Sequence, residues 1–299
     1  MMGSEAELTG AENISLVQLI KAQDWRAVEV RLAKSPEEAS VRSPANLFRS
    51  NSLCYPLHYL CKKPKAPLST MQALIKAAPV ATSSMDAGTK SLPIHIACWY
   101  GQPLESVRAL LGANMASLTV ADKDSRNLPL HVAASLASPD VVQLLLQTDP
   151  RTASKLNKKK QTPLHCACMR RDISVEVLTK LIEISPTSAA CLDWLNRCPV
   201  HDACMQQADV TVLERLLKAF PGGVLLWDKH LLTPYGILRT RFRLQTRDPA
   251  VVLIRKYMQK QNPALIRFRN TLQFLVEDVK AGFGRDEGHS LKGMKKLPQ

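Results

Sequence analysis

One short phrase, a proline followed by an apolar residue and a histidine, recurs along this chain at almost constant intervals, and that period limits the fold more than any other feature. It occurs as Pro56-Leu57-His58, Pro93-Ile94-His95, Pro129-Leu130-His131, Pro163-Leu164-His165 and Pro199-Val200-His201. Pro234-Tyr235-Gly236 is a sixth, eroded copy. Successive prolines stand 37, 36, 34, 36 and 35 residues apart. Such a period implies a stack of small units, each unable to bury its apolar face alone. The length of 299 residues fits this, being more than one compact core usually holds.

Within the unit, each phrase is followed by small residues: Ala97-Cys98, Ala133-Ala134, Ala167-Cys168 and Ala203-Cys204. They predict a short helix packed close to its neighbours, with proline in the first turn, where a missing N–H costs nothing. A second helix follows, with apolar residues at helical spacing, as in Val141, Val142, Leu145 and Leu146, or Val212, Leu213, Leu216 and Leu217. Ser138-Pro139-Asp140, Asp172 and Asp209 are expected at the starts of these second helices. A recurrent proline phrase, such as Pro79-Val80-Ala81, Pro150-Arg151-Thr152-Ala153 or Pro186-Thr187-Ser188-Ala189, follows the second helix and reads as a stop signal. Asp86, Asp122, Asn157, Asp193 and Asp228 then open a turn leading back to the next proline.

The unit resembles the ankyrin repeat, whose core is Thr-Pro-Leu-His-x-Ala. Thr162-Pro163-Leu164-His165-Cys166-Ala167 is the best copy, and the resemblance covers roughly residues 50 to 262. The family's glycine between the helices survives only at Gly101, and its Gly-Ala after the second helix is mostly replaced by the proline phrase. The resemblance implies an all-α solenoid of stacked helix-turn-helix units joined by short turns or β-fingers. Residues 51–262 are read as six repeats, the last eroded, and residues 13–50 as a degenerate N-terminal capping unit containing Ile14 to Ala39. Residues 263–281, with Leu265, Ile266, Phe268, Leu272, Leu275 and Val276, are read as a capping helix; residues 1–12 and the basic tail 282–299 as disordered.

Composition separates the classes of function. No run approaches the eighteen or so apolar residues of a membrane span, and the first ten residues carry Glu5 and Glu7 without a basic residue. A protein of the cytoplasm, with the nucleus as the alternative, is expected, and its eight cysteines should be thiols. The net charge of +14 is unevenly spread: residues 1–50 carry −1, residues 151–200 carry +5 and residues 251–299 carry +6.

His and Cys recur three apart at His58/Cys61, His95/Cys98, His165/Cys168 and His201/Cys204, one face of a helix in each case. A structural zinc site needs about four converging ligands, whereas successive repeats stack about 10 Å apart. The repeat accounts for both residues: by resemblance the histidine bonds neighbouring turn backbone, and the cysteine fills a tight slot as a small hydrophobe. A Cys/His nucleophile multiplied across repeats lacks an orienting third group, and no phosphate-binding glycine loop occurs. No enzyme, no metal, no cofactor and no small-molecule substrate are therefore expected.

The resemblance implies a partner protein lying along a concave surface made by the turn tips and the exposed side of the first helices. Here that surface is expected to use Trp99, Tyr100, Arg126, Lys158, Met169, Arg170, Trp194 and Met205. Aromatic residues, Met and Arg are the types enriched at interface centres. For Trp99, packing against the adjacent repeat is the competing reading. Lys158-Lys159-Lys160 falls at a turn tip, either as a contact for an acidic partner or as a soluble tip. Residues 239–269 carry +8, with Arg239, Arg241, Arg243 and Arg247 at the start. They read as a docking site for nucleic acid or an anionic membrane, or as a solvated face. The expectation is a non-catalytic adaptor, monomeric by itself, for an unidentified partner protein, with the anionic partner as the alternative.

Overall fold

A computed structural model describes residues 14–44, 53–136 and 138–261. The expected N-terminal segment 1–12, capping helix 263–281 and tail 282–299, with Arg267 and Arg269, lie outside the described residues. So do residues 45–52, which precede the first Pro-x-His unit.

Fourteen α-helices in the described residues pair along the chain. The pairs are α1 (Leu16–Ala22) with α2 (Trp25–Lys34), α3 (Pro56–Cys61) with α4 (Leu68–Ala77), and α5 (Pro93–Trp99) with α6 (Leu104–Ala113). They continue with α7 (Pro129–Leu136) and α8 (Pro139–Thr148), α9 (Pro163–Cys168) and α10 (Val175–Ile184), then α11 (Pro199–Met205) and α12 (Val210–Ala219). The last is α13 (Pro234–Gly236), prolonged by a π-helical turn Ile237–Arg241, with α14 (Pro249–Gln261). Odd-numbered helices pack on one another in sequence, and even-numbered helices do the same, giving two helical layers. A two-residue antiparallel ladder pairs β1 (Ser43–Pro44) with β2 (Leu53–Cys54). Among the described residues no helix is long and apolar enough to cross a membrane.

Small side chains allow the first layer to close up. Ala97, Ala133, Ala167 and Ala203 are fully buried between first helices, and Cys61, Cys98, Cys168 and Cys204 are buried beside them. The even helices close the core with Leu74, Leu110, Leu145, Leu178 and Leu213. At about 25 cal/mol per Å² of apolar area, each such leucine contributes about 2 kcal/mol relative to exposure.

The proline phrases do more than stop the second helices. Pro36–Ser40, Pro79–Ser83, Pro150–Ser154, Pro186–Ala190 and Pro221–Leu225 are each a 3₁₀ turn, and Met115–Thr119 forms the same turn without proline. The expected start of α10 needs correction. Its N-cap is Ser174, whose hydroxyl accepts from the Val177 N–H at 3.3 Å. Asp172 lies outside the helix and pairs with Arg170 at 2.7 Å. Asp209 does sit at the N-cap of α12 but makes no side-chain capping bond, and neither does Ser138 at α8. Gly101 turns the chain between α5 and α6 with φ of +65°; Gln207 does so after α11 at +55°, so glycine is dispensable there.

Candidate partner-binding surface

The turn tips are organised by one acid or amide each. Asp86 Oδ1 accepts from the Gly88 N–H at 2.8 Å and Asp122 Oδ1 from Ser125 at 2.7 Å. Asn157 Oδ1 accepts from Lys159 and Gln161, Asp193 Oδ1 from Leu195 and Arg197, and Asp228 Oδ1 from His230 and Leu232, all at 2.8–2.9 Å. These side chains imitate a backbone turn and saturate its buried donors. Near the end of each tip one residue takes a left-handed conformation: Lys90, Arg126, Lys160, Asn196 and Leu231, with φ between +51° and +59°. Successive tips are then joined by single backbone bonds, Lys123 N–H to Lys90 O, Lys158 to Ser125, Trp194 to Lys159 and Lys229 to Leu195, at 2.8–3.2 Å. This rail holds the tip side chains at a fixed spacing over the first helices.

The repeat histidines anchor the rail from below. His95 Nε2–H donates to the Asn127 carbonyl at 3.0 Å, His131 to Gln161 and Lys155 at 3.1 Å, and His165 to Arg197 at 3.1 Å. His58 reaches Ser84 at 2.8 Å and His201 reaches Leu226 at 3.1 Å. Nδ1 of His131, His165 and His201 accepts from the N–H at the start of its own helix, which sets the Nε2–H tautomer. Burial pulls His95, His131 and His165 down to about 4, so they are neutral at pH 7. The structural role that the resemblance implied for these residues is the one they perform.

Burial likewise pushes the thiols up, to about 12 for Cys98, Cys166 and Cys198. No thiolate nucleophile arises from such sites. Among the described residues, no group of three or more His, Cys, Asp or Glu is arranged to hold a metal ion. The His/Cys spacing is thus used for packing and for anchoring the turns.

Between the rail and the first helices runs a groove with a volume of about 660 Å³. Of the eight expected contact residues it brings together four: Trp99 at the end of α5, Met169 at the end of α9, and Lys158 and Trp194 on two successive tips. Trp99 is 61% exposed and Trp194 48%, so Trp99 is not packed into the adjacent repeat. The other four stand apart. Tyr100 is exposed beside Trp99 but outside the groove lining, and Arg170 is held by Asp172. Met205 Sδ accepts from Arg197 Nη1 at 3.1 Å. Arg126, in its left-handed conformation, lines a different cleft with Arg151, Lys155 and Leu156.

The groove also has members that the sequence pattern did not single out. Asn157 Nδ2 donates to Asn127 Oδ1 at 2.9 Å and to Gln161 Oε1 at 3.3 Å, and Gln161 Nε2 points at Met169 Sδ at 3.2 Å. Asp124, Ser125, Ser135 and Cys166 complete the walls, together with Lys159 of the tip run Lys158-Lys159-Lys160. In the basic C-terminal part, Arg239 Nη1 donates to the Leu244 carbonyl and Arg241 lies over the Phe242 ring, 5.8 Å from its centroid. Arg241, Arg243 and Arg247 are exposed.

The family model for ankyrin repeats in three copies matches residues 57–155 and 130–223, which together span more than half of the chain. The chain belongs to the ankyrin-repeat family. No curated protein matches it in sequence. Among solved structures, the ankyrin repeat domain of Bcl-3, described as a unique member of the IkappaB protein family, is similar with a TM-score of 0.58 and 18% identity. That match covers 81% of this chain and 98% of the other. The human ASB11 ankyrin repeat domain is similar with a TM-score of 0.60 and 18% identity, over 82% of this chain and 98% of that one. At such identity these likenesses concern the fold. The ankyrin fold is in general a module for protein–protein interaction.

Proposed function

We propose that this ankyrin stack is a non-catalytic adaptor, monomeric by itself, that holds a segment of a partner protein in the groove between its tips and first helices. The supporting observation is the pair of exposed indoles, Trp99 and Trp194, with Met169 between them in one groove. Large aromatic side chains left in water on a rigid surface are the usual anchors of an interface, and the backbone rail keeps them preorganised. The thiols and histidines near this groove are neutral and committed to the fold, which favours binding over chemistry.

The test is affinity capture with the full chain against Trp99→Ala/Trp194→Ala, each verified as folded by circular dichroism. Proteins retained by the parent are expected to be lost with the double variant. Equal recovery of every one of them would reject the groove. The alternative, an anionic partner on the C-terminal part, rests on the exposed guanidinium groups of Arg241, Arg243 and Arg247. It predicts binding that weakens steeply with salt and does not respond to the tryptophans.

A further inference from the structure

The charges around the groove are as particular as its aromatics. Asp86, Asp122, Asp193 and Asp228 are buried, each with an oxygen committed to its own turn. They contribute little negative charge at the surface. Lys90, Lys123, Lys158, Lys159, Lys160 and Lys229 remain exposed along the rail, and Asp124 is the exposed carboxylate among these tips. It is already paired with Lys90 at 3.1 Å. Lys158 makes only a long contact, 3.4 Å, with the Asp124 carbonyl. The Lys159 ammonium is close enough to Cys166 in the groove wall to oppose the rise of its thiol pKa, so its charge is felt inside the groove. Six exposed lysines against one exposed acid, Asp124, which also lines the groove, draw negative charge towards an apolar floor.

The polar atoms of the groove suit a peptide backbone. The amide oxygens of Asn127, Asn157 and Gln161 already accept hydrogen bonds within the wall, whereas Gln161 spends a buried N–H on the Met169 sulfur, a weak acceptor that a peptide carbonyl would replace with gain. Trp99 and Trp194 belong to positions two repeats apart, roughly 20 Å at the usual helix spacing, which about six extended residues would span.

On the reading that the groove is the binding site, we infer that its occupant is an extended acidic segment of a partner protein. Carboxylates of that segment face Lys158 and Lys159, and a bulky apolar side chain lies between Trp99 and Trp194. The probe is a displayed library of random twelve-residue peptides, selected on the full chain. Selected peptides are expected to be rich in Asp and Glu and to carry an aromatic or large aliphatic residue. One of them, synthesised, should change the tryptophan fluorescence on binding. Its dissociation constant should rise at least about tenfold in Lys158→Glu/Lys159→Glu, the order expected from two exposed ion pairs, and should rise with salt.

The outcomes separate the two proposals. If Trp99→Ala/Trp194→Ala abolishes binding while the lysine reversal changes nothing, or if the selected peptides are neutral or basic, the groove stands and the acidic occupant is overturned. If neither variant affects peptide binding, both fail. A single-stranded oligodeoxythymidylate that binds the parent and is lost in the lysine variant would also overturn the inference, in favour of nucleic acid.

Discussion

Asp202 stands at a position of the repeat that is otherwise uncharged, matching Tyr59, Ile96, Val132 and Cys166 of the preceding first helices. Its side chain is 1% exposed; Oδ1 lies 3.3 Å from Arg197 Nη1 and Oδ2 has no partner. Arg197 is shared, with its stronger bonds going to Asp193 at 2.9 and 3.2 Å. Asp193, Cys166, Cys168 and Cys198 are the other titratable groups that sense this carboxyl, and only Arg197 is cationic. Burial therefore wins over the single guanidinium and raises Asp202 from 3.8 to about 7. A raised carboxyl binds a proton in the folded state before the unfolded chain does. Its contribution is present at low pH and is lost as pH rises towards 7. Asp202→Asn, which is neutral throughout, should gain stability over the parent by on the order of 4 kcal/mol between pH 4 and pH 8. Urea unfolding of both proteins at several pH values checks this; a difference that does not change with pH would refute it.

At the scale of the element, the 3₁₀ turn after each second helix begins with proline in five cases and with Met115 in the sixth. The residue before it is alike in all: Asn114 has φ −151° and ψ 84°, against −140° and 72° at Ser35 or −144° and 93° at Asp149. That extended conformation is the one a following proline requires, and Met115 is 57% exposed. Met115→Pro should therefore stabilise the protein by about 0.4–1 kcal/mol, chiefly by restricting the unfolded chain. A lowered denaturation midpoint would show that the Met115 side chain or N–H matters more than the register suggests. The same turn illustrates what the sequence reveals. Proline, His and Ala mark where helices begin and how they pack, because those constraints are local and repeated. Met115 hides an equivalent turn because its conformation is imposed by the neighbours and not by its own ring. Ser174 caps α10 in place of Asp172 because Arg170 draws the aspartate away. In the groove, Trp99, Lys158, Met169 and Trp194 follow from their register. Gln161 and Asn127 depend on how one tip lies over the next. Arg126, in a left-handed conformation, lines a different cleft, which the register does not reveal.

Across the whole molecule, the histidines make the stack a single acid-sensitive object. Five of them lie in five successive first helices, and each joins its own helix to a turn that follows, so protonation would act at every level of the stack at once. Burial lowers His58 and His201 as well as His95, His131 and His165, the last three from 6.5 to about 4. With pKa depressed in the folded state, the unfolded chain takes up protons first as the pH falls. Stability is then complete above about pH 6.5 and declines down to about pH 4, where these three sites protonate in the folded protein too. The total loss is on the order of several kcal/mol, a large part of what holds a marginally stable protein folded. Asp202 opposes the decline in the same interval, but as one site against five. Urea midpoints should fall steeply between pH 6.5 and pH 4.5, and because neighbouring repeats share these bonds, tryptophan fluorescence and helical circular dichroism should fall together. A midpoint that holds level to pH 4.5 would mean that the imidazoles reach water without breaking the rail, and the rigidity assigned to the groove would have to come from elsewhere.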